Sequence, residues 1–183
     1  TKGQQWIIPE VIMSYSDTGL GLLSQQLHRC IRDHVCRGVY QHQVRPILIN
    51  SWEANYFNIH AENLLKLAKE AADLGIEMLV MDGWFGKRDD DNTGLGDWSV
   101  NEQKLGMSLH ELTEQVHSYG LKFGIWFEPE MVSENSDLYR KHPDYAMRLP
   151  GRQPVRGRNQ LILDFSREEV VNAIYEQVKQ VLD

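Results

Sequence analysis

The sequence predicts an α/β fold, the N-terminal part of a TIM (β/α)8 barrel of about three βα units, with the barrel not closed within the chain. Three observations carry this. Short apolar, β-prone runs at residues 46–50, 77–81 and 122–127 alternate with helical periodicity, which is the grammar of a parallel sheet with helical crossovers. No Gly-rich phosphate turn follows any of these runs, so a doubly wound nucleotide-binding sheet fits poorly. Each run ends in Trp with Asp or Glu (INSWE, MDGWF, IWFEPE), the end of the strand where α/β barrels place their chemistry. A complete barrel takes about 250 residues, more than the 183 present here.

Taken in order, residues 1–17 read as extended. Residues 18–37 read as a helix on the recurrence of Leu20, Leu23, Leu27, Ile31 and Val35, with Gly38 as a stop. This lead-in of residues 1–45 is expected to follow a β-sandwich domain, and residues 46–183 to begin a barrel. After the first strand, a helix over residues 59–74 carries Leu64, Leu67, Ala68 and Ala71 on one face and ends at Gly75. Residues 86–106, rich in Asp, Asn and Gly, read as a long polar loop. Ser108 and Glu111 form a capping box that starts the next helix, and Gly120 ends it. The third strand stops at Pro129, which cannot donate to a sheet ladder. Residues 128–160 form an excursion with one short helix near 137–142. Residues 161–165 look like a short strand, and Ser166 with Glu169 predicts a second capping box.

Apolar residues make up 42% and charged residues 25%, an ordinary globular composition. The net charge of −7 and the lack of a basic stripe argue against nucleic acid. No apolar run approaches the ~18 residues of a membrane span. Cys30 and Cys36 fall on different faces of the predicted helix, which suits two reduced thiols in a cytoplasmic protein.

Candidate chemistry gathers at the strand ends. Asp82, Glu128, Glu130, Glu53 and Asp164 are acidic residues at or near them, and Trp52, Trp84 and Trp126 are aromatic faces beside the acids. Carboxylates with stacking aromatics suit a hydroxyl-rich ligand such as a sugar, and glycoside hydrolysis uses a carboxylate pair. A lone carboxylate after a strand is more often an acceptor for loop amides or an Arg. Trp98, in the polar loop, reads either as a lid or subunit contact or as simple loop packing. The contiguous run Asp89, Asp90, Asp91 and Asn92 lacks the every-second-residue spacing of a calcium loop and reads as a turn. The histidines lack zinc spacing. Arg158, followed by Asn159 and Gln160, is a fork-shaped donor placed before a buried strand.

At these residues the sequence resembles the bacterial α-galactosidases of glycoside hydrolase family 36. The segments IPEVIMSYSDTGL, RPILINSWEANYF, MDGWFGKRDDDNTGLGDW, GIWFEPEMVSENSDLY and GRNQLILDFSREEV carry the resemblance over nearly the whole chain. It implies retaining hydrolysis of terminal α-galactose from raffinose-type sugars, without metal or cofactor, by a β-sandwich, barrel and C-terminal β-domain protein that is often tetrameric. It implies that Trp52 lines the galactose site, that Asp82 hydrogen-bonds galactose hydroxyls, that Trp126 flanks the sugar and that Arg158 contacts it. Trp84 joins these as a substrate-binding candidate, while Glu53, Glu128 and Glu130 support the pocket.

Two departures stand out. The family usually has two consecutive Asp before Gly-Trp-Phe, and here Asp82 follows Met81. The family's nucleophile lies in a Lys-Trp-Asp context, with its acid/base further on, and this chain contains no Lys-Trp-Asp. No catalytic residue is therefore assigned within the chain. Alternatives are a raffinose-synthase-like transglycosylase, an α-N-acetylgalactosaminidase, a non-catalytic sugar-binding relic, and a metal enzyme using Asp82, Glu128 and Glu130 as ligands.

Overall fold

The structure, a computed structural model, describes residues 2–183. Two units separate within it, one up to Arg45 and one from Pro46 to Asp183.

In the first unit, residues 4–16 form neither helix nor strand. Helix α1 spans Leu20–Cys30 and widens into a π turn over Ile31–Val35, which closes with the Cys36 amide on the Ile31 carbonyl at 2.8 Å. The helix expected as far as Arg37 therefore stops early, because Cys36 turns to an extended backbone (φ −63°, ψ 145°). Cys30 and Cys36 are free thiols. None of the described residues of this unit is buried.

The second unit is built on three parallel strands in the order β1 (Leu48–Asn50), β2 (Met78–Met81) and β3 (Lys122–Ile125). Leu48 pairs with Met78, and Met78 with Lys122, so the three strands end level with one another. A short helix, α2 (Trp52–Asn55), leaves β1 directly, and α3 (Ala61–Asp73) returns the chain to β2. After β2 the loop contains α4 (Glu102–Leu105), and α5 (Leu109–Ser118) leads to β3. The capping box expected at Ser108 and Glu111 is present. Leu79 and Met81 of β2 are buried in one core with Leu64, Ala68, Leu112 and Val116 of α3 and α5. Met78 and Val80, alternating with them, are only half-buried. The helices of this unit thus cover one side of the sheet.

The excursion after β3 is more ordered than its sequence suggests. Strand β4 (Met131–Val132) pairs antiparallel with β5 (Leu161–Ile162), bracketing α6 (Asp137–Lys141) and a 3-10 turn at Pro143–Tyr145. The run at 161–165 is thus a two-residue strand of a separate small sheet. Helix α7 spans Glu168–Leu182. The second capping box does not form. The Asp164 carboxylate accepts both the amide and the hydroxyl of Ser166, at 3.2 and 2.5 Å, so the hydroxyl never reaches the helix and Arg167 takes the N-cap place. An Asx turn two residues ahead outcompetes the box.

The loop between β2 and α5 is not simply solvated. Trp98 is buried in it, 4.2 Å from the Phe85 ring and 5.2 Å from Phe127, and its amide donates to Gln177 of α7 at 3.0 Å. In the same loop Gly96 lies close against Val132 and Leu138: a Cβ there would stand 3.0 Å from Val132 and 3.2 Å from Leu138, at φ +103°. Trp98 is therefore core and not a lid. The acidic run is a turn, as read, with the Asn92 amide on the Asp90 carboxylate at 2.7 Å. Among the described residues, no helix is long and apolar enough to cross a membrane.

Candidate functional site

Because the three strands end level, the residues just beyond them meet. At the end of β1, Asn50 uses both ends of its amide. Its Oδ1 accepts the Trp52 amide at 2.7 Å, which turns the chain into α2, and its Nδ2 donates to Asp82 Oδ2 at 3.2 Å. Ser51, fully buried, donates its amide to the Val80 carbonyl and accepts the Asp82 amide on its hydroxyl at 3.0 Å. Asp82 Oδ1 accepts the Gly83 amide at 2.7 Å. Asp82 is thus held from three directions. Burial pushes its carboxyl above the ordinary carboxylate range, against the pull of Asn50, the Gly83 amide, Arg88 and Arg158.

Gly83 brings Trp52 to the same place. It sits at φ +63°, and a Cβ on it would stand 2.8 Å from the Tyr56 carbonyl and 3.4 Å from the Trp52 ring. The Trp52 indole is fixed from its other side by edge contacts with Tyr56 and Phe57, at 5.3 and 4.9 Å. At the end of β3, the Trp126 amide still donates to the Met81 carbonyl at 3.0 Å, continuing the ladder. Glu128 follows two residues on. Burial raises its carboxyl, with Glu130 adding to the rise and Arg158 and Arg88 opposing it.

Arg158 arrives from the excursion. Gly157 and Gln160 exchange both backbone hydrogen bonds, at 3.1 and 2.9 Å, around Arg158 (φ +52°) and Asn159 (φ +60°). This is the left-handed pair of a type I′ hairpin turn. Asn tolerates it, while Arg does so at about 1 kcal/mol. The turn presents Arg158 Nη1 3.7 Å from Glu128 Oε1.

The result is a cleft of ≈ 160 Å³ at the C-terminal ends of the strands. Trp52, Asp82, Trp126, Glu128 and Arg158 line it, as do Phe57, Gly83, Phe85 and Arg88. Of the sequence candidates, Trp84 does not line it. It is buried under the floor with its indole N–H on the Trp126 carbonyl, because the tight Gly83 turn points it into the core. Glu53 is exposed and accepts the Tyr56 hydroxyl at 3.1 Å. Glu130 is exposed too, and its backbone carbonyl pairs with the Leu163 amide. Asp164 is committed to its turn. Asp82, Glu128 and Glu130 do not converge as a ligand set, and among the described residues no group of three or more His, Cys, Asp or Glu is placed to hold a metal ion.

Sequence reasoning missed Phe57 and Arg88. Arg88 is buried, with its guanidinium 5.3 Å from the Phe57 ring centre and 6.0 Å from that of Phe85. Its Nη1 donates to the Thr93 carbonyl at 2.9 Å. It stands between Lys87 and an acidic run, with no local pattern that marks it for burial.

The melibiase family model matches residues 5–183. The chain belongs to the melibiase family. Among curated members, it is 62% identical to the bifunctional α-galactosidase/sucrose kinase AgaSK of Mediterraneibacter gnavus, over 100% of this chain and 20% of that protein. It is 52% identical to α-galactosidase AgaA of Geobacillus stearothermophilus, over 98% of this chain and 25% of that one. Among solved structures, the GH36 α-galactosidase AgaB of G. stearothermophilus superimposes with a TM-score of 0.86 at 53% identity, covering 92% of this chain and 23% of its own. A variant of AgaA from the same organism, in complex with stachyose, gives 0.86 at 52% identity over 92% and 24%. The chain thus spans about a fifth to a quarter of the length of these melibiase relatives.

Proposed function

We propose that this chain forms the galactose-binding side of the active site in a retaining α-galactosidase acting on raffinose-type sugars. The observation that carries the reading is the convergence of Trp52, Asp82, Trp126 and Arg158 on one cleft at the strand ends. Trp52 and Trp126 supply apolar faces for the C–H side of a sugar ring. Asp82, held by Asn50, Ser51 and Gly83, keeps its remaining lone pairs for hydroxyls. Arg158 donates from the rim, 3.7 Å from Glu128. Homologous AgaA variants are known with stachyose and with raffinose bound, which supports this substrate class.

In this reading hydrolysis proceeds by double displacement, with a nucleophile and an acid/base about 5 Å apart. Neither role falls to Glu128 or Glu130. Glu128 faces Arg158, Glu130 is exposed, and the family pattern sets the nucleophile in a Lys-Trp-Asp strand. Residues 1–45 lead in from a β-sandwich domain, residues 46–183 begin the barrel, and the whole enzyme is a cofactor-free tetramer. Two free thiols suit the cytoplasm.

Calorimetric titration of the full-length protein with galactose and raffinose tests the reading. Binding of both that is lost in Asp82→Ala, with the fold intact, is the expected result. Binding that persists in Asp82→Ala, or no binding by the wild type, overturns it.

A further inference from the structure

We propose that Arg88 is a positioning residue of the cleft, a fixed buried cation that keeps the acceptor oxygens of Asp82 and Glu128 charged and available to sugar hydroxyls. The inference rests on the α-galactoside reading of the cleft and adds a residue to it.

The geometry points to Arg88 because its charge is anchored but poorly neutralised. It is 4% exposed, packed against Phe57 and Phe85, and held by the Thr93 carbonyl. The carboxylate nearest it in its own loop, Asp91, stands 3.9 Å from Nη2, beyond hydrogen-bond reach, and the Asp91 side chain is 57% exposed. Lys104 binds the Arg88 backbone carbonyl, so its charge faces the loop and Asp89. Asp82 reaches the guanidinium's surroundings from the end of β2, Glu128 from the end of β3 and Arg158 from the hairpin turn, and Asp90 and Asp91 lie in its own loop.

Two carboxyls share a partly dry cleft, where burial favours their protonated forms. A protonated carboxyl turns one acceptor oxygen into a donor. Two cations oppose this. Arg158 is the closer to Glu128, but its side chain is 66% exposed and salt screens it. Arg88 is buried against Phe57 and Phe85, so its field persists at physiological ionic strength.

The test is galactose affinity of the full-length protein by calorimetry from pH 4 to 8 in 0.15 M salt. Affinity falls on the acid side as the carboxyls protonate. In Arg88→Met this acid limb is expected to move up by about one pH unit, which lowers affinity about fivefold at the midpoint of the wild-type limb and up to about tenfold below it. Arg88→Lys keeps the charge and is expected to leave the limb in place. Arg88→Gln is a second neutral variant that retains a donor for Thr93, so the reading survives if Arg88→Met does not fold. An unmoved limb in the neutral variants, or an equal shift in Arg88→Lys, overturns the inference alone. Unfolding of both neutral variants while Arg88→Lys folds assigns Arg88 a structural role and also overturns it. A wild type that binds no galactose at any pH removes the α-galactoside reading, and this inference with it.

Discussion

The indole N–H of Trp84 donates to the backbone carbonyl of Trp126 at 2.9 Å. This one hydrogen bond ties the loop after β2 to the end of β3, and so places one wall of the cleft relative to the other. It also explains why two tryptophans with the same sequence context differ. Trp126 faces the cleft, and Trp84 braces it from beneath while packing edge-on to Phe85 and Phe127, at 5.7 and 5.5 Å.

Trp84→Phe is expected to keep most of that packing but leave the Trp126 carbonyl unpaired. The expected loss is about 1–2 kcal/mol of stability by urea unfolding. Trp84→Ala opens a cavity as well and should cost about 3–5 kcal/mol. An unchanged unfolding midpoint in Trp84→Phe would show that the brace contributes nothing.

Gly83→Ala places a methyl group 2.8 Å from the Tyr56 carbonyl at a backbone angle of +63°. The strain and the contact together should lower stability by about 1–3 kcal/mol. Trp52 must shift with it, so galactose affinity and the tryptophan emission spectrum should change together. A fully stable variant with wild-type affinity would contradict this account of the turn.

Glu128→Gln tests the electrostatics through stability. Burial raises the Glu128 carboxyl in the folded state. A raised value means that the folded form holds its proton more tightly. The stabilisation is present at acid pH and is lost as pH rises through the folded-state value. Gln removes that loss, and the Arg158 pairing it forfeits is 3.7 Å long and largely solvated. The variant should therefore melt higher than wild type at pH 7, with the gap closing toward pH 4. A gap that widens on acidification would reverse the sign and refute the argument.

Trp126→Ala and Trp52→Ala should each weaken galactose binding by about tenfold, as an aromatic face is lost from a pocket that a ligand must desolvate. The 183-residue chain alone should not release nitrophenol from a nitrophenyl α-galactoside. Release that vanished in Glu128→Gln would put the catalytic pair inside these residues.

The sequence by itself determined the parallel sheet, its strand order along the chain, the first capping box and the level at which Trp52, Asp82 and Trp126 leave their strands. These follow from local rules: period, glycine stops, a proline that ends a ladder, and the geometry of parallel strands, whose ends lie on one side. The tertiary structure decided which neighbours those residues keep. Trp84 read like a binding aromatic and Trp98 like a lid or loop packing, yet both are buried in the core, packed on Phe85 and Phe127. Arg88 drew no notice in a charged stretch, yet Phe57, from a different βα unit, covers it. Ser166 read like a helix cap, yet Asp164 takes its hydroxyl. A local pattern sets the direction a chain takes, while burial and partner choice depend on residues distant in sequence, whose contacts no short window contains.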